Sequence, residues 1–346
     1  GDDAALARLL NAKKPATPNR VLNLETGSLA AEAALKMVLA RFYKPQADSH
    51  EPKYKGRVPV FVVIGDFEGG IQANYHGTTL LTQVLRGMWG DLREGMEQQG
   101  LYVVRGVRPN NVEELERVFN ENESSSNKIA ALFHELVLMN YAGKTLDPKF
   151  VRRMYALCKK YDVPAVVDEI QTGVWSPELF MFREYGVKPA FIAVGKGFPG
   201  GEYCASRILF GSEYDNLPQF GALVTNGQEE LASLAYLITM RWAQANAAVT
   251  CAVGEYYESR LRELAAKHKQ RIAAIEGRRH LAGIYFHDLA PARKFAETLN
   301  AGGLDISVQT YKAGCPPSAL TKLPLIAGYE AVDFVVSRME RALATI

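Results

Sequence analysis

The chain has 346 residues, the length of one large or two ordinary domains and enough to bury a core without disulfide or metal staples. Hydrophobic residues make up 48% and charged residues 23%, a globular composition that excludes a disordered tail or a fibre. The charges nearly cancel, to a formal net +2, so a polyanion finds no basic face and nucleic acid is not an expected partner.

In chain order, Leu35, Val38, Leu39 and Phe42 recur at helical spacing after Leu29 and predict a helix with one buried face. Val58–Ile64 reads as a short, fully buried strand, and Thr79–Trp89 as a helix. Leu101–Val104 predicts a strand, Val112–Phe119 a helix and Ile129–Phe133 a strand. Asp147-Pro148 supplies an N-capping carboxylate and a proline at the first helical position; Val151, Met154, Tyr155, Cys158 and Tyr161 follow at helical spacing. Val163–Val167 and Phe191–Val194 are two more apolar strands, and Ser206–Phe210 is rich in β-formers. Continuous apolar strands alternating with helices predict an α/β fold, a mostly parallel sheet covered on both faces. The tail differs: helices over Leu231–Ala245 and Val253–Lys267 lead into Ile272–Ile275, Gly283–Phe286, Ile306–Val308 and a last helix, Ala331–Ala344. That mixture predicts a smaller α+β domain, giving an N-terminal remnant over 1–20, a large domain over 21–250 and a small one over 251–346.

Several classes are excluded. The longest strongly apolar run, Val58 to Ile64, is far short of a bilayer span and contains Pro59, so no membrane partner is expected. The start, Gly1-Asp2-Asp3, is acidic where a secretory signal is basic. Cys158, Cys204, Cys251 and Cys315 stand apart from one another; they read as half-buried thiols of a reducing compartment, and a cytoplasmic location is expected. None of the six histidines forms a His-x-x-x-His pair, and no metal site is expected.

Three motifs compete for the chemistry. Gly195-Lys196-Gly197-Phe198-Pro199-Gly200 matches a dinucleotide fingerprint, but Gly201 and a β-rich stretch follow where a helix is required. Gly143-Lys144-Thr145 with the later Asp168-Glu169 imitates the motifs of a P-loop ATPase, yet the first glycine of the loop is replaced by Leu138. The third reading takes strand ends. Asp168 ends one buried strand and Lys196 follows the next, so both side chains can reach one pocket beyond the sheet. A lysine between Gly195 and Gly197 is a candidate Schiff-base nucleophile, and a carboxylate beside it suits a pyridinium nitrogen. Without further support, a solvated loop lysine and a helix-capping aspartate explain the same residues.

Segments in register along the chain add that support. Asp168-Glu169-Ile170-Gln171-Thr172-Gly173, then Gly186-Val187-Lys188-Pro189, then Gly195-Lys196-Gly197 is similar to the core of the class III (ω-type) pyridoxal-phosphate-dependent aminotransferases. Upstream, Thr26-Gly27-Ser28 before Glu32-Ala33-Ala34-Leu35-Lys36 resembles the family's phosphate turn, and Asn74-Tyr75-His76-Gly77-Thr78-Thr79 its aromatic segment. The resemblance implies fold type I, pyridoxal 5'-phosphate as cofactor, and a homodimer with active sites at the interface. It also implies transfer of an amino group from an amine or amino acid donor to an oxo-acid acceptor. Lys196 would form the aldimine and then carry the proton, Asp168 would pair with the ring nitrogen, and Gln171 would donate to the phenolic oxygen. Tyr75 would stack on the ring with His76 beside it; Thr26, Gly27 and Ser28 would hold the phosphate, Ser28 doubling as an N-cap.

Departures from the pattern bear on substrate. Leu29 replaces a usual glutamate, and Trp175-Ser176-Pro177-Glu178 replaces Gly-Arg-Thr-Gly. Ala190 stands where aspartate usually precedes the lysine strand. Ala222 falls where the neighbouring subunit usually donates a phosphate-binding threonine, with Thr225 the nearest substitute. Thr321-Lys322-Leu323 lacks the arginine that often takes a substrate carboxylate; Lys322 has the charge without the bidentate fork. Another reaction of the same cofactor (decarboxylation, racemisation or amino-group migration) and a non-catalytic family member are the alternatives.

Overall fold

The structure, a computed structural model, describes residues 3–12, 17–65, 76–225, 227, 229–309 and 315–346. Seven strands form the main sheet: Arg20–Leu24 (β1), Val58–Ile64 (β2), Val103–Val107 (β3), Asn127–His134 (β4), Ala165–Asp168 (β5), Phe191–Val194 (β6) and Ser206–Phe210 (β7). Their order is β1-β7-β6-β5-β4-β2-β3. The pairs from β3 through β2, β4 and β5 to β6 are parallel; β7 runs antiparallel to both β6 and β1. This is the expected mostly parallel sheet, with an antiparallel edge.

Its central strands β2, β5 and β6 are almost wholly apolar, as strands covered on both faces are. In β2, Val60, Val62 and Ile64 enter one core with Phe150, Val151 and Met154 of helix Pro148–Lys160. Phe61 and Val63, pointing the other way, enter a second core with Ala30, Ala34, Leu35 and Val38 of helix Gly27–Leu39. Both faces of one strand are therefore dry.

Apart from a two-stranded ribbon of Val137–Leu138 and Lys144–Thr145, the other strands, Ile272–Arg278 (β8), Leu281–Phe286 (β9), Ser307–Gln309 (β10) and Ser318–Lys322 (β11), form an antiparallel sheet of order β8-β9-β11-β10. Helices Ala247–Lys267, Leu289–Ala301 and Tyr329–Ala344 close its core around Tyr257, Phe295 and Val336. The expected break between residues 250 and 251 lies within the first of these helices. Polar links tie β8 and the turn after it to segments that flank the main sheet: Lys144 Nζ lies 2.9 Å from Glu276, and Glu184 takes Arg278 at 2.6 Å and Arg279 at 2.8 Å.

Some local expectations are corrected. The helix expected over 79–89 is shorter, Leu80–Leu85, and a separate helix, Gly90–Gln98, follows it. Gly87 and Trp89 take positive φ values of 80° and 56° between them and reverse the chain. Strand β5 begins at Ala165, not Val163, because Pro164 has no N–H to give the ladder and Val163 N is spent on Cys158 O at the helix end. Asp147 occupies the N-cap position, but its side chain makes no capping hydrogen bond. None of the four cysteines is in a disulfide, yet only Cys251 is half-buried: Cys158 and Cys315 are buried and Cys204 is exposed. Among the described residues, no helix is long and apolar enough to cross a membrane. Helix Glu230–Ala245 leaves Leu231, Leu234 and Ile238 exposed along one stripe.

Candidate active site

Three strands of the main sheet end side by side, and each carries an ionisable group past its carboxyl end. Asp168 is the last residue of β5, Lys196 follows β6, and Glu135 follows β4. All three line one cavity of about 200 Å³, together with Thr26, Gly27, Ser28, His76 and Gln171. That placement, beyond the carboxyl ends of parallel strands, is where open α/β sheets bind ligands.

Asp168 is held from two sides. Its Oδ1 accepts from Ile170 N at 3.0 Å and its Oδ2 pairs with His76 Nδ1 at 3.1 Å. His76 is buried, and its Nε2 has no hydrogen-bond partner among the described residues. The imidazole thus orients the carboxylate, a more specific position than lying beside a ring. Tyr75, expected to stack on that ring, lies outside the described residues, as does Asn74.

Lys196 has the left-handed φ of 44°, uncommon for a residue with a side chain and worth attention in a ligand cavity. The strand ending at Val194 is followed by turns, and no helix opens behind the Gly195–Gly200 motif, which removes the dinucleotide reading. The glycine after the lysine has a purpose the sequence hid. A Cβ at Gly197 would stand 2.5 Å from the Trp175 ring, so the missing side chain makes room for that indole.

Helix Gly27–Leu39 points its N-terminus at the other end of the cavity, and the orphan amides of its first turn are an anion site. The cap is Thr26, whose Oγ1 accepts from Leu29 N at 3.4 Å, and not Ser28. Ser28 Oγ instead accepts from Thr78 N at 3.0 Å, tying the helix to the segment after His76. Gly77, at φ 143°, is pressed so close that a Cβ would lie 2.7 Å from Ser28 Cα.

Burial and neighbouring charge set the protonation of the flanking groups. Glu135 is pushed well above the usual carboxylate range by burial, with Asp168 adding to the rise. Glu169, buried behind the site, is raised to about 7 by burial although Phe182 N donates to it at 2.8 Å. Lys322, reaching in from β11, is pushed down to about 7 by burial and by Lys196. Its Nζ stands 3.3 Å from Gln171 Oε1 and 3.7 Å from the Trp175 ring centroid.

Lys196, Asp168, Gln171, His76, Thr26, Gly27 and Ser28 are therefore brought together. Thr225 is exposed and lines no part of this cavity; neither does Ala222, which borders a separate cleft with Leu29 and Lys36. Glu135 was missed by sequence reasoning, although the strand-end argument that found Asp168 applies to it equally. Thr78 and Trp175 were quoted there without a structural role.

With this geometry established, comparison with known proteins defines the class. The family model "Aminotransferase class-III" matches residues 2–343, and the chain belongs to that family. It is 28% identical over 213 residues to diaminobutyrate–2-oxoglutarate transaminase of Streptomyces avermitilis, covering 60% of this chain and 49% of that protein. It is 26% identical over 265 residues to 5-aminovalerate aminotransferase DavT of Pseudomonas aeruginosa, covering 73% of this chain and 57% of the relative. The matched stretches span about half the length of these curated relatives. In fold it is similar to the ornithine aminotransferase of Toxoplasma gondii ME49, with a TM-score of 0.73 at 19% identity over 95% of this chain and 73% of that one. A Bacillus anthracis aminotransferase gives 0.75 at 19% identity over 99% and 79%.

Proposed function

We propose that the protein is a pyridoxal-5'-phosphate-dependent aminotransferase that moves an amino group from an amine or amino acid to an oxo acid. The observation that carries this reading is the meeting of Lys196, Asp168 and a helix N-terminus around one cavity. A phosphate fits the helix N-terminus and a protonated ring nitrogen fits Asp168. When bound, the cofactor supplies an aldehyde that condenses with amines and a ring that draws electrons from the carbon bearing the nitrogen.

The residues divide the work. Lys196 Nζ is the point of covalent attachment and, once released, takes and returns the proton of the substrate carbon. Asp168 keeps a proton on the ring nitrogen, its own orientation set by His76 and Ile170 N. Thr26, Gly27 and Ser28 hold the phosphate, and Gln171 donates to the phenolic oxygen. Tyr75 is assigned the ring-stacking position, and Thr225 of a second copy the remaining phosphate contact. The reading includes a cytoplasmic homodimer, supported by the uncovered Leu231, Leu234 and Ile238 stripe, and a domain break at 250/251.

Absorbance tests it. Protein given excess cofactor should show a band near the visible edge that borohydride abolishes, leaving the label on the Lys196 peptide. A panel of amines should then bleach the band, and an oxo acid should restore it. No band in the wild-type protein sinks the cofactor reading, and carbon dioxide release in place of bleaching sinks transamination.

A further inference from the structure

Gln171 and Trp175 belong to the loop after β5, whereas Lys322 ends β11 of the smaller sheet. The room left by Gly197 seats the indole of Trp175, and Trp175 Nε1 donates back to Leu323 O at 3.3 Å. Lys322 Nζ lies over that ring at 3.7 Å from its centroid, a distance at which the ring face attracts a cation. From this seat Nζ donates to Gln171 Oε1 at 3.3 Å. No carboxylate of the described residues pairs with Lys322; its charged neighbour is Lys196.

An ammonium group has donors and no acceptor. In its protonated form Lys322 therefore admits the Gln171 amide in one sense only, carbonyl towards Lys322 and NH₂ away, and this orientation weakens as the amine loses its proton above about 7. Gln171 lines the cavity, and its Nε2 donors have no protein partner among the described residues. We propose that Lys322 is a positioning residue that fixes the Gln171 amide so that Nε2 presents a donor to the ring-hydroxyl oxygen of bound pyridoxal phosphate. This rests on the aminotransferase reading. A donor at that oxygen stabilises its anion, so the smaller sheet takes part in setting the charge distribution on the ring.

The test is the pH titration of the bound-cofactor absorbance in holoenzyme. Lys322→Met and Lys322→Arg are compared with wild type, each with Gln171 intact and with Gln171→Ala. Lys322→Met should move the midpoint upward by about one pH unit, a tenfold change in proton affinity, and Lys322→Arg should restore it. In the Gln171→Ala background Lys322→Met should shift it by less than about 0.3 unit. Should Lys322→Met fail to fold, Lys322→Gln replaces it. An unmoved midpoint overturns the proposal. So does an equal shift with and without Gln171, which would mean that the lysine charge acts on the ring directly. If wild type shows no borohydride-sensitive band, the aminotransferase reading falls and takes this inference with it. A normal wild-type band that Lys322→Met leaves in place removes the inference alone.

Discussion

In the main sheet, β2 and β4 are buried along nearly their whole length, whereas in the smaller sheet most of β8 is half-buried or exposed. The difference governs where chemistry can sit. A strand dry on both faces holds ionisable side chains only towards its ends, as Lys128 and His134 do on β4, and Glu135, Asp168 and Lys196 collect at the carboxyl edge of the sheet. A half-wet strand tolerates charge along its length, as Glu276 and Arg278 do on β8.

The sharpest way to break this contrast is at the edge itself. Lys196→Ala should lower turnover at least about 10³-fold while far-ultraviolet circular dichroism stays unchanged. Turnover within tenfold of wild type would separate the cavity from the chemistry. Asp168→Asn keeps the shape but loses the charge and turns one of the two acceptor oxygens into a donor. A fall of roughly 10²-fold in steady-state rate, with part of the cofactor retained by absorbance, is expected.

Packing should separate the sheets next. Phe61→Ala empties a fully buried site stacked on Tyr102 at 4.7 Å and should cost about 3–5 kcal/mol in urea unfolding. Ile275→Ala, half-buried on β8, should cost only about 1 kcal/mol, and equal losses would refute the contrast. The last effect is a slope. Because burial raises Glu169 to about 7, folding favours its protonated form. The relative stability it gives is complete below its ordinary value of 4.5 and is lost as pH rises to about 7. Glu169→Gln should remove that decline, on the order of 2–3 kcal/mol, from unfolding curves measured across this window.

Legibility in the sequence follows the same division. Val58–Ile64 and Phe191–Val194 were readable to the residue because a doubly buried strand is an unbroken apolar run. Asp168 and Lys196 were readable as polar residues beside such runs. Strand Ser318–Lys322 was not, since Ser-Ala-Leu-Thr-Lys carries neither a run nor an alternation. Strand Arg20–Leu24 at the sheet edge and the helix Leu289–Ala301, with Pro291 inside its first turn, also escaped. The His76–Asp168 hydrogen bond joins residues 92 positions apart, and no local pattern encodes such a meeting.

Gly197 shows how little material can decide a site. One hydrogen atom there, in place of a methyl group, lets an aromatic plate slide beneath the turn that bears Lys196. A saturation library at this codon should therefore return a single functional letter. Even alanine would evict the plate and unseat the cation resting on it, without touching an atom of the ligand.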